Sequence, residues 1–311
     1  MIYDVVIWTP INKTDGFGHF YRMMGLYELL KDNNVGVTYF TNSDYIKLET
    51  VKIIQCKKEK IEEIAIFFKE KMVKVLIIDN YDISMKEIEY LSKYFKIVFF
   101  DAKFENPSVD ILMNFNPYAL LEYSYKHKNT RYFLGLEYMS FRKDLRGIQN
   151  DLIDNNTVFI SIGGTDITHT TYELLTYLPN NFTYHIILGK GCEESYCEKV
   201  LHYLNTNNFK FHLYQQPKNY FDIMSKCEFA ICTCSTTVYE LIYLSKPFVC
   251  INVTSNQNMI TSYLSKEGII TLNRDTLHEI ASCIERKLFK KLIVKTSNNV
   301  SLIKSIEDLV C

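Results

Sequence analysis

No apolar stretch of this 311-residue sequence approaches the ~18 uninterrupted residues of a membrane-crossing helix, so no span is expected. The opening MIYDVVIWTP has neither a basic stretch before its apolar run nor a small-residue cleavage site. It reads as a first β-strand rather than a signal peptide, and the cytoplasm is the expected compartment. Long runs of one charge are also missing: 35 basic residues face 36 acidic ones, for a net charge of −1. That balance argues against nucleic acid as a partner, which would need a concentrated cationic footprint. Repeats of fixed short period and low-complexity segments are absent too.

Metal motifs are equally scarce. The nine cysteines run from Cys56 to Cys311, and Cys192 with Cys197 and Cys232 with Cys234 lack the paired CxxC spacing of a zinc site. An odd number of cysteines, several of them in apolar runs such as CEFAICTC, suits buried reduced thiols better than a disulfide frame. Neither HxxxH nor HExxH occurs among the seven histidines. No metal and no cofactor is expected.

What is present is a balance of 47% apolar and 23% charged residues, that of a globular chain able to bury a core. At this length two domains of roughly 150 residues are the natural division. In the first half DVVIWT, VGVTYF, VKIIQC, VLIIDN and KIVFFD are short β-branched or aromatic runs, separated largely by stretches with helical spacing such as KIEEIAIFFKEKM and SMKEIEYLSKYF. The pattern restarts after LRGIQNDLIDNN with TVFISI, YHIILG, FKFHLY, EFAICT and PFVCIN. Strands alternating with helices imply parallel pairing, and strands apolar throughout imply sheets covered on both faces. The expected fold class is α/β: two Rossmann-like parallel-sheet domains, 1–150 and 151–311, facing across a cleft. The last stretch, VSLIKSIEDLV, spaces its apolar residues for one face of a helix that packs, with the first domain as one possible partner.

Ligands of open parallel sheets bind beyond the carboxyl ends of the strands. Four stretches fall there: DGFGH after DVVIWT, DNYD after VLII, GGTD after TVFISI and CSTT after EFAIC. Gly16 and Gly18 permit tight backbone geometry beside a helix whose first N–H groups attract an anion, although an ordinary strand-to-helix turn uses glycine in the same way. In GGTD, the glycines clear room for a diphosphate with Thr165 as donor, or Thr165 and Asp166 simply cap the next helix. In CSTTVYELIYL, Ser235, Thr236 and Thr237 open a helix with Glu240 one turn in, suited to ribose hydroxyls or to capping. His19 alone among the histidines sits in such a loop, whereas His127, His169, His185, His202, His212 and His278 share no spacing. An imidazole is the side chain best matched to general-base work at neutral pH.

Taken together, GFGHFYR, IIDNY, FDAKFENPSVDILMNFNPYA, GLEYMSFR, GGTD, STTVYELIYL and SNQN stand in the order found in the UDP-2,4-diacetamido-2,4,6-trideoxy-β-L-altropyranose hydrolase family of pseudaminic acid biosynthesis. The sequence resembles that family from its first strand to about residue 270. It is similar more broadly to the GT-B group that includes the N-acetylglucosaminyltransferase of peptidoglycan synthesis.

The resemblance implies a GT-B fold with catalysis supplied mainly by the first domain and the nucleotide held mainly by the second. It matches His19 to the catalytic histidine, with Gly18 and Arg22 completing a GxGHxxR element. It sets Gly18, Arg22, Gly164, Thr165, Ser235, Thr236 and Glu240 around the nucleotide and its diphosphate. Asp79, Tyr81, Asn114, Asn116, Tyr118, Asn256 and Gln257 fall on the sugar side. Three positions depart from the family pattern: Trp8 and Pro10 stand where an arginine and an aspartate are usual, and Asn80 where a histidine is usual. The implied reaction is metal-independent hydrolysis of the anomeric C–O bond of a UDP-sugar, with inversion; the sequence leaves the oligomeric state open, with a monomer as the expectation. A glycosyltransferase using an acceptor hydroxyl, and a nucleotide-sugar binding protein without catalysis, are the alternatives.

Overall fold

The computed structural model describes residues 4–9, 18–41, 53–55, 60–148, 152–294 and 299–310. The chain divides into two compact units, Met1–Lys143 with Lys295–Cys311, and Asp144–Val294.

In the first unit β1 (Val5–Trp8) leads toward α1 (Gly18–Asp32), followed by β2 (Val37–Thr41), β3 (Ile53–Gln55), α2 (Ile61–Glu70) and β4 (Val75–Ile78). Then come α3 (Met85–Ser92), β5 (Lys96–Phe100), β6 (Ile111–Asn114), the short α4 (Ala119–Glu122) and β7 (Arg131–Leu134). The seven strands form one sheet in the order β3-β2-β1-β4-β5-β6-β7, and every described pairing is parallel. All residues of β1, β4 and β6 are buried, as strands covered on both faces require. Trp8, Phe40 and Phe68 anchor a core on one face.

The second unit begins with α5 (Lys143–Arg146), which straddles the boundary, and continues through β8 (Asp154–Ser161), α6 (Thr170–Leu175), β9 (Thr183–Leu188), α7 (Glu194–Thr206) and β10 (Lys210–Gln215). It closes with α8 (Tyr220–Lys226), β11 (Cys227–Thr233), α9 (Thr236–Tyr243), β12 (Phe248–Ile251), α10 (Asn258–Lys266), β13 (Thr271–Leu272) and α11 (Ile280–Glu285). Its six strands run β10-β9-β8-β11-β12-β13, again parallel. Each sheet therefore reverses its winding once, between β1 and β4 in the first unit and between β8 and β11 in the second. Such switch points are where α/β sheets open space for ligands.

The expected alternation of strand and helix holds, and three strands join it that the apolar runs did not single out. β6 lies inside SVDILMNFNP and β7 inside NTRYFLGL, each four residues long, and β13 has two. Runs this short carry too little periodicity to stand out from loop. The ending also differs from a simple cut at residue 150. The amphipathic stretch forms α12 (Asn299–Val310) and packs on the first unit, burying Leu302, Ile303 and Ile306. Arg131 donates to the Ser305 carbonyl oxygen at 3.2 Å, and Lys74 Nζ to that of Val310 at 2.9 Å. A helix with one apolar face must bury it, and the first unit supplies the cover.

Candidate functional site

His19 and Asp79 come from opposite sides of the first switch point. His19 lies in the first turn of α1, and Asp79 directly follows β4. The helix is oriented by its apolar stripe, with Phe20, Met23, Leu26, Tyr27 and Leu30 buried. The Tyr39 hydroxyl of β2 donates to the Phe20 carbonyl oxygen at 3.3 Å, tying the helix start to the sheet. One turn of helix separates His19 from Arg22, so both look the same way.

Both meet Asp79. Its carboxylate has no exposed surface, and its Oδ1 lies 2.8 Å from His19 Nδ1. Arg22 donates from Nη2 to Oδ1 at 2.7 Å and to Oδ2 at 2.8 Å, and from Nε to Oδ2 at 3.0 Å. The guanidinium carbon also sits 3.9 Å from the centre of the Phe100 ring. Burial alone would push the Asp79 carboxyl up, but the charges and hydrogen bonds of Arg22 and His19 outweigh it and hold the group below its ordinary value. For Arg22, burial acts to lower the guanidinium and Asp79 with Tyr81 more than compensates. The result is a carboxylate and a guanidinium, both held ionised in a largely dry place, with the His19 ring against the carboxylate.

Around this trio, the Tyr81 ring meets His19 edge-on with centroids 4.0 Å apart, and Lys103 Nζ donates to the Tyr81 carbonyl oxygen at 2.5 Å. Tyr118, half-buried beside Phe104, has its hydroxyl pushed up to about 12 by burial, with the Tyr81 and Glu122 charges adding to the effect. Asn114 is fully buried. It donates to the Asp101 carbonyl oxygen at 2.7 Å and accepts from the Asn116 backbone and side chain at 3.0 and 2.8 Å. Asn114 and Asn116 thus brace the loop after β6. Phe100, which cushions Arg22, had no signal in the sequence, because an aromatic at a strand end looks like any core residue.

The departures from the family pattern resolve in part. Trp8 is buried among Phe40 and Phe68, with ring centroids 5.8 and 6.4 Å away, so its side chain belongs to the core. Asn80 accepts from the Asp82 backbone at 2.8 Å, closing a turn. Pro10 and Gly16 lie outside the described residues, as does the side-chain environment of Gly18.

In the second unit β8, β11 and β12 are neighbours, so the loops GGTD, CSTT and the SNQ turn all emerge at one sheet edge. Gly163 takes φ +89°, a conformation that favours glycine. Gly164 accepts from the Gly191 backbone at 2.9 Å. Asp166 accepts from Thr170 and Thr171 backbone N–H groups at 2.9 and 3.0 Å and from the Tyr196 hydroxyl at 2.6 Å. It therefore caps α6, the plainer of the two readings of that loop, while Thr165 lends its carbonyl to Cys192 Sγ at 3.4 Å. Ser235 is the N-cap residue of α9, yet its side chain does not cap the helix and instead pairs with Thr233 Oγ1 at 2.9 Å. Thr236 stands in the first turn of α9, and Glu240 is half-buried further along the helix. Gln257 Oε1 accepts from the Val253 backbone at 3.1 Å, and Asn256 from Thr254 at 2.5 Å. No group of three or more potential metal ligands occurs among the described residues, and no helix among them is long and apolar enough to cross a membrane.

No family model matches the chain. It is 25% identical, over 81% of its length and 93% of the relative's, to the UDP-2,4-diacetamido-2,4,6-trideoxy-β-L-altropyranose hydrolase of Campylobacter jejuni. A second relative, from Helicobacter pylori, combines pseudaminic acid cytidylyltransferase with the same hydrolase. It is 28% identical over 62% of this chain, which spans 37% of that longer protein. Among solved structures, MurG of Acinetobacter baumannii superposes with a TM-score of 0.67 at 11% identity, covering 98% of this chain and 99% of its own. Two parallel-sheet Rossmann-like units and this likeness give the chain the GT-B fold. In sequence it is similar to the UDP-2,4-diacetamido-2,4,6-trideoxy-β-L-altropyranose hydrolase over nearly the whole length of that protein.

Proposed function

We propose that this protein is a nucleotide-sugar hydrolase that cleaves the anomeric C–O bond of a UDP-linked diacetamido-trideoxy-hexose, giving UDP and the free sugar. The observation that carries the reading is the contact of His19 with a buried carboxylate at the switch point of the first unit. It is supported by similarity to relatives bearing that activity in their names. With Asp79 accepting at Nδ1, the imidazole offers Nε2 as the general base. Nε2 takes a proton from water, the oxygen bonds to the anomeric carbon, and the C–O bond to the diphosphate breaks on the opposite side. The bond's electrons leave with UDP, and the anomeric centre inverts.

A diphosphate departs without needing a proton, so what it requires is stabilisation of charge. The start of α9, with Thr236 and Ser235, and the glycine loop of Gly164 and Thr165 suit that task. Glu240 suits the ribose. Tyr81 and Tyr118 near the histidine are assigned to the sugar. No metal or cofactor is part of the scheme, and the enzyme works as a monomer in the cytoplasm.

A glycosyltransferase is the second reading, favoured by the fold shared with MurG. There an acceptor hydroxyl replaces water at the same base. Release of UDP with no acceptor present separates the two, and strict acceptor dependence would overturn hydrolysis. In the His19→Ala variant, UDP should still bind while turnover falls by ~10²–10⁴-fold, the usual share of a general base. Full turnover in that variant would remove the proposed chemistry.

A further inference from the structure

We propose that Arg22 is a positioning residue rather than a phosphate ligand. By occupying both oxygens of Asp79, it fixes a charged carboxylate against His19 and thereby sets which imidazole nitrogen carries the proton. The inference deepens the hydrolase reading and rests on His19 being its base.

The proton count leads to one tautomer. Asp79 Oδ1 stands 2.8 Å from His19 Nδ1, and Arg22 Nη2 stands 3.1 Å from the same nitrogen. Arg22 Nη2 has two hydrogens, and it meets Oδ1 at 2.7 Å and Oδ2 at 2.8 Å, with Nε adding a third contact at 3.0 Å. The hydrogens of the guanidinium edge are thus taken up by the carboxylate. Were Nδ1 unprotonated, its lone pair would face a carboxylate lone pair at hydrogen-bond distance, a repulsive arrangement. Nδ1 therefore donates to Oδ1, and Nε2 is left bare to accept a proton.

Arg22 is what keeps the carboxylate in the charged form that this tautomer needs. Asp79 has no exposed surface, and a buried carboxyl without a counter-charge takes up a proton. A protonated Asp79 would donate to Nδ1 instead, moving the imidazole proton to Nε2 and abolishing the base. Among the described residues, the charged and titratable groups around Asp79 are His19 and Arg22 from α1, Tyr39 from β2, which senses the charge of Asp79, and Tyr81 beyond β4, which reaches Arg22. Arg22 is the cation among them that contacts both oxygens. Its side chain is 11% exposed and rests on Phe100 at 3.9 Å. Swinging to a phosphate would break three hydrogen bonds and strand Asp79.

The test compares Arg22→Met, Arg22→Lys and Asp79→Asn with the wild type in three measurements. With UDP as the probe, calorimetry should give a dissociation constant for Arg22→Met within about twofold of wild type, whereas a phosphate ligand would shift it by about tenfold or more. Turnover of the UDP-sugar should fall ~10²–10⁴-fold, the scale of a histidine in the wrong tautomer. In Arg22→Met it should recover as pH rises and Asp79 ionises, Arg22→Lys should restore part of it, and Asp79→Asn should show no such recovery. Nitrogen-15 NMR of resting wild-type enzyme should find the His19 proton on Nδ1, and that of Arg22→Met at neutral pH should find it on Nε2. A wild-type proton on Nε2, or lost UDP affinity with unchanged turnover at saturation, overturns the proposal. The NMR measurement needs neither substrate nor a variant, so it decides this point even if no UDP-sugar is hydrolysed.

Discussion

Asp79 Oδ1 lies 2.8 Å from His19 Nδ1 although 60 positions separate the two residues in the chain. Parallel pairing of β1 with β4 brings them together, with Trp8 directly opposite Ile78 in the register. The loop after one strand and the residue after its neighbour then share the same edge. A site assembled this way depends on the sheet, and its electrostatics have measurable consequences for stability as well as chemistry.

The first concerns acid. The folded Asp79 carboxyl lies below its ordinary value of 3.8, so folding favours its charged form. The stabilisation is fully present above that ordinary value and is lost as pH falls through it toward the lower folded value. Asp79→Asn removes this dependence while leaving Arg22 buried without its partner. The variant should be less stable than wild type near neutrality, by roughly 3–5 kcal/mol for a broken buried pair, and the gap should narrow toward about pH 3. Urea melts across that range check it, and a gap that widens in acid would contradict the assigned charge state.

Trp8 gives a second expectation. As the single tryptophan of the chain, packed against Phe40 and Phe68, it should fluoresce at short wavelength, resist quenching by iodide and report unfolding of the first unit alone. Trp8→Arg, which introduces the arginine usual at this position in the hydrolases the sequence resembles, would force a charge into that core and should prevent folding of the unit. Trp8→Phe should cost less, about 1–3 kcal/mol, because it loses apolar contact but also an indole N–H that has no partner among the described residues.

Gly189 tests the second unit. A Cβ there would stand 2.1 Å from the Gly164 carbonyl oxygen and 2.4 Å from its Cα, so Gly189→Ala must displace the glycine loop proposed to hold the diphosphate. UDP affinity should drop about tenfold or more, equivalent to ~1.4 kcal/mol, while the Trp8 signal of the first unit melts unchanged. Unaltered UDP binding would separate that loop from the nucleotide.

Deleting α12 should act on the other unit. Leu302, Ile303 and Ile306 are buried, and each apolar side chain of that size contributes ~1.5–3 kcal/mol when fully buried. Removal of 295–311 should therefore lower the midpoint followed by Trp8 fluorescence by several kcal/mol equivalent, with the second unit's melting unaffected. Melting of both units to the same extent would show that the helix does more than cover the first.

Several features were legible in residues alone. Short apolar runs alternating with amphipathic stretches announce parallel α/β units, because both faces of such a strand are buried and its composition shows it. Glycine-rich stretches at strand ends draw attention to two of the loops at the switch points, and the lone histidine in one of them to the side chain that meets Asp79. A cap from Thr165 or Asp166 was one of two readings of GGTD, and the Asp166 carboxylate supplies it.

What remained hidden is the partnership of side chains. Asp79, expected on the sugar side, meets His19 and Arg22, and Asn114, expected there too, bonds to the Asp101 carbonyl and Asn116. Arg22, expected on the nucleotide side, holds both oxygens of Asp79. Sequence by itself determined that strands, helices and polar loops of these kinds must form, since periodicity and glycine placement act within a few residues. Only the tertiary structure decided which carboxylate meets which cation, and which unit α12 covers. Those outcomes follow from strand order and burial, which bring together residues dozens of positions apart and oblige each buried charge to find its partner there.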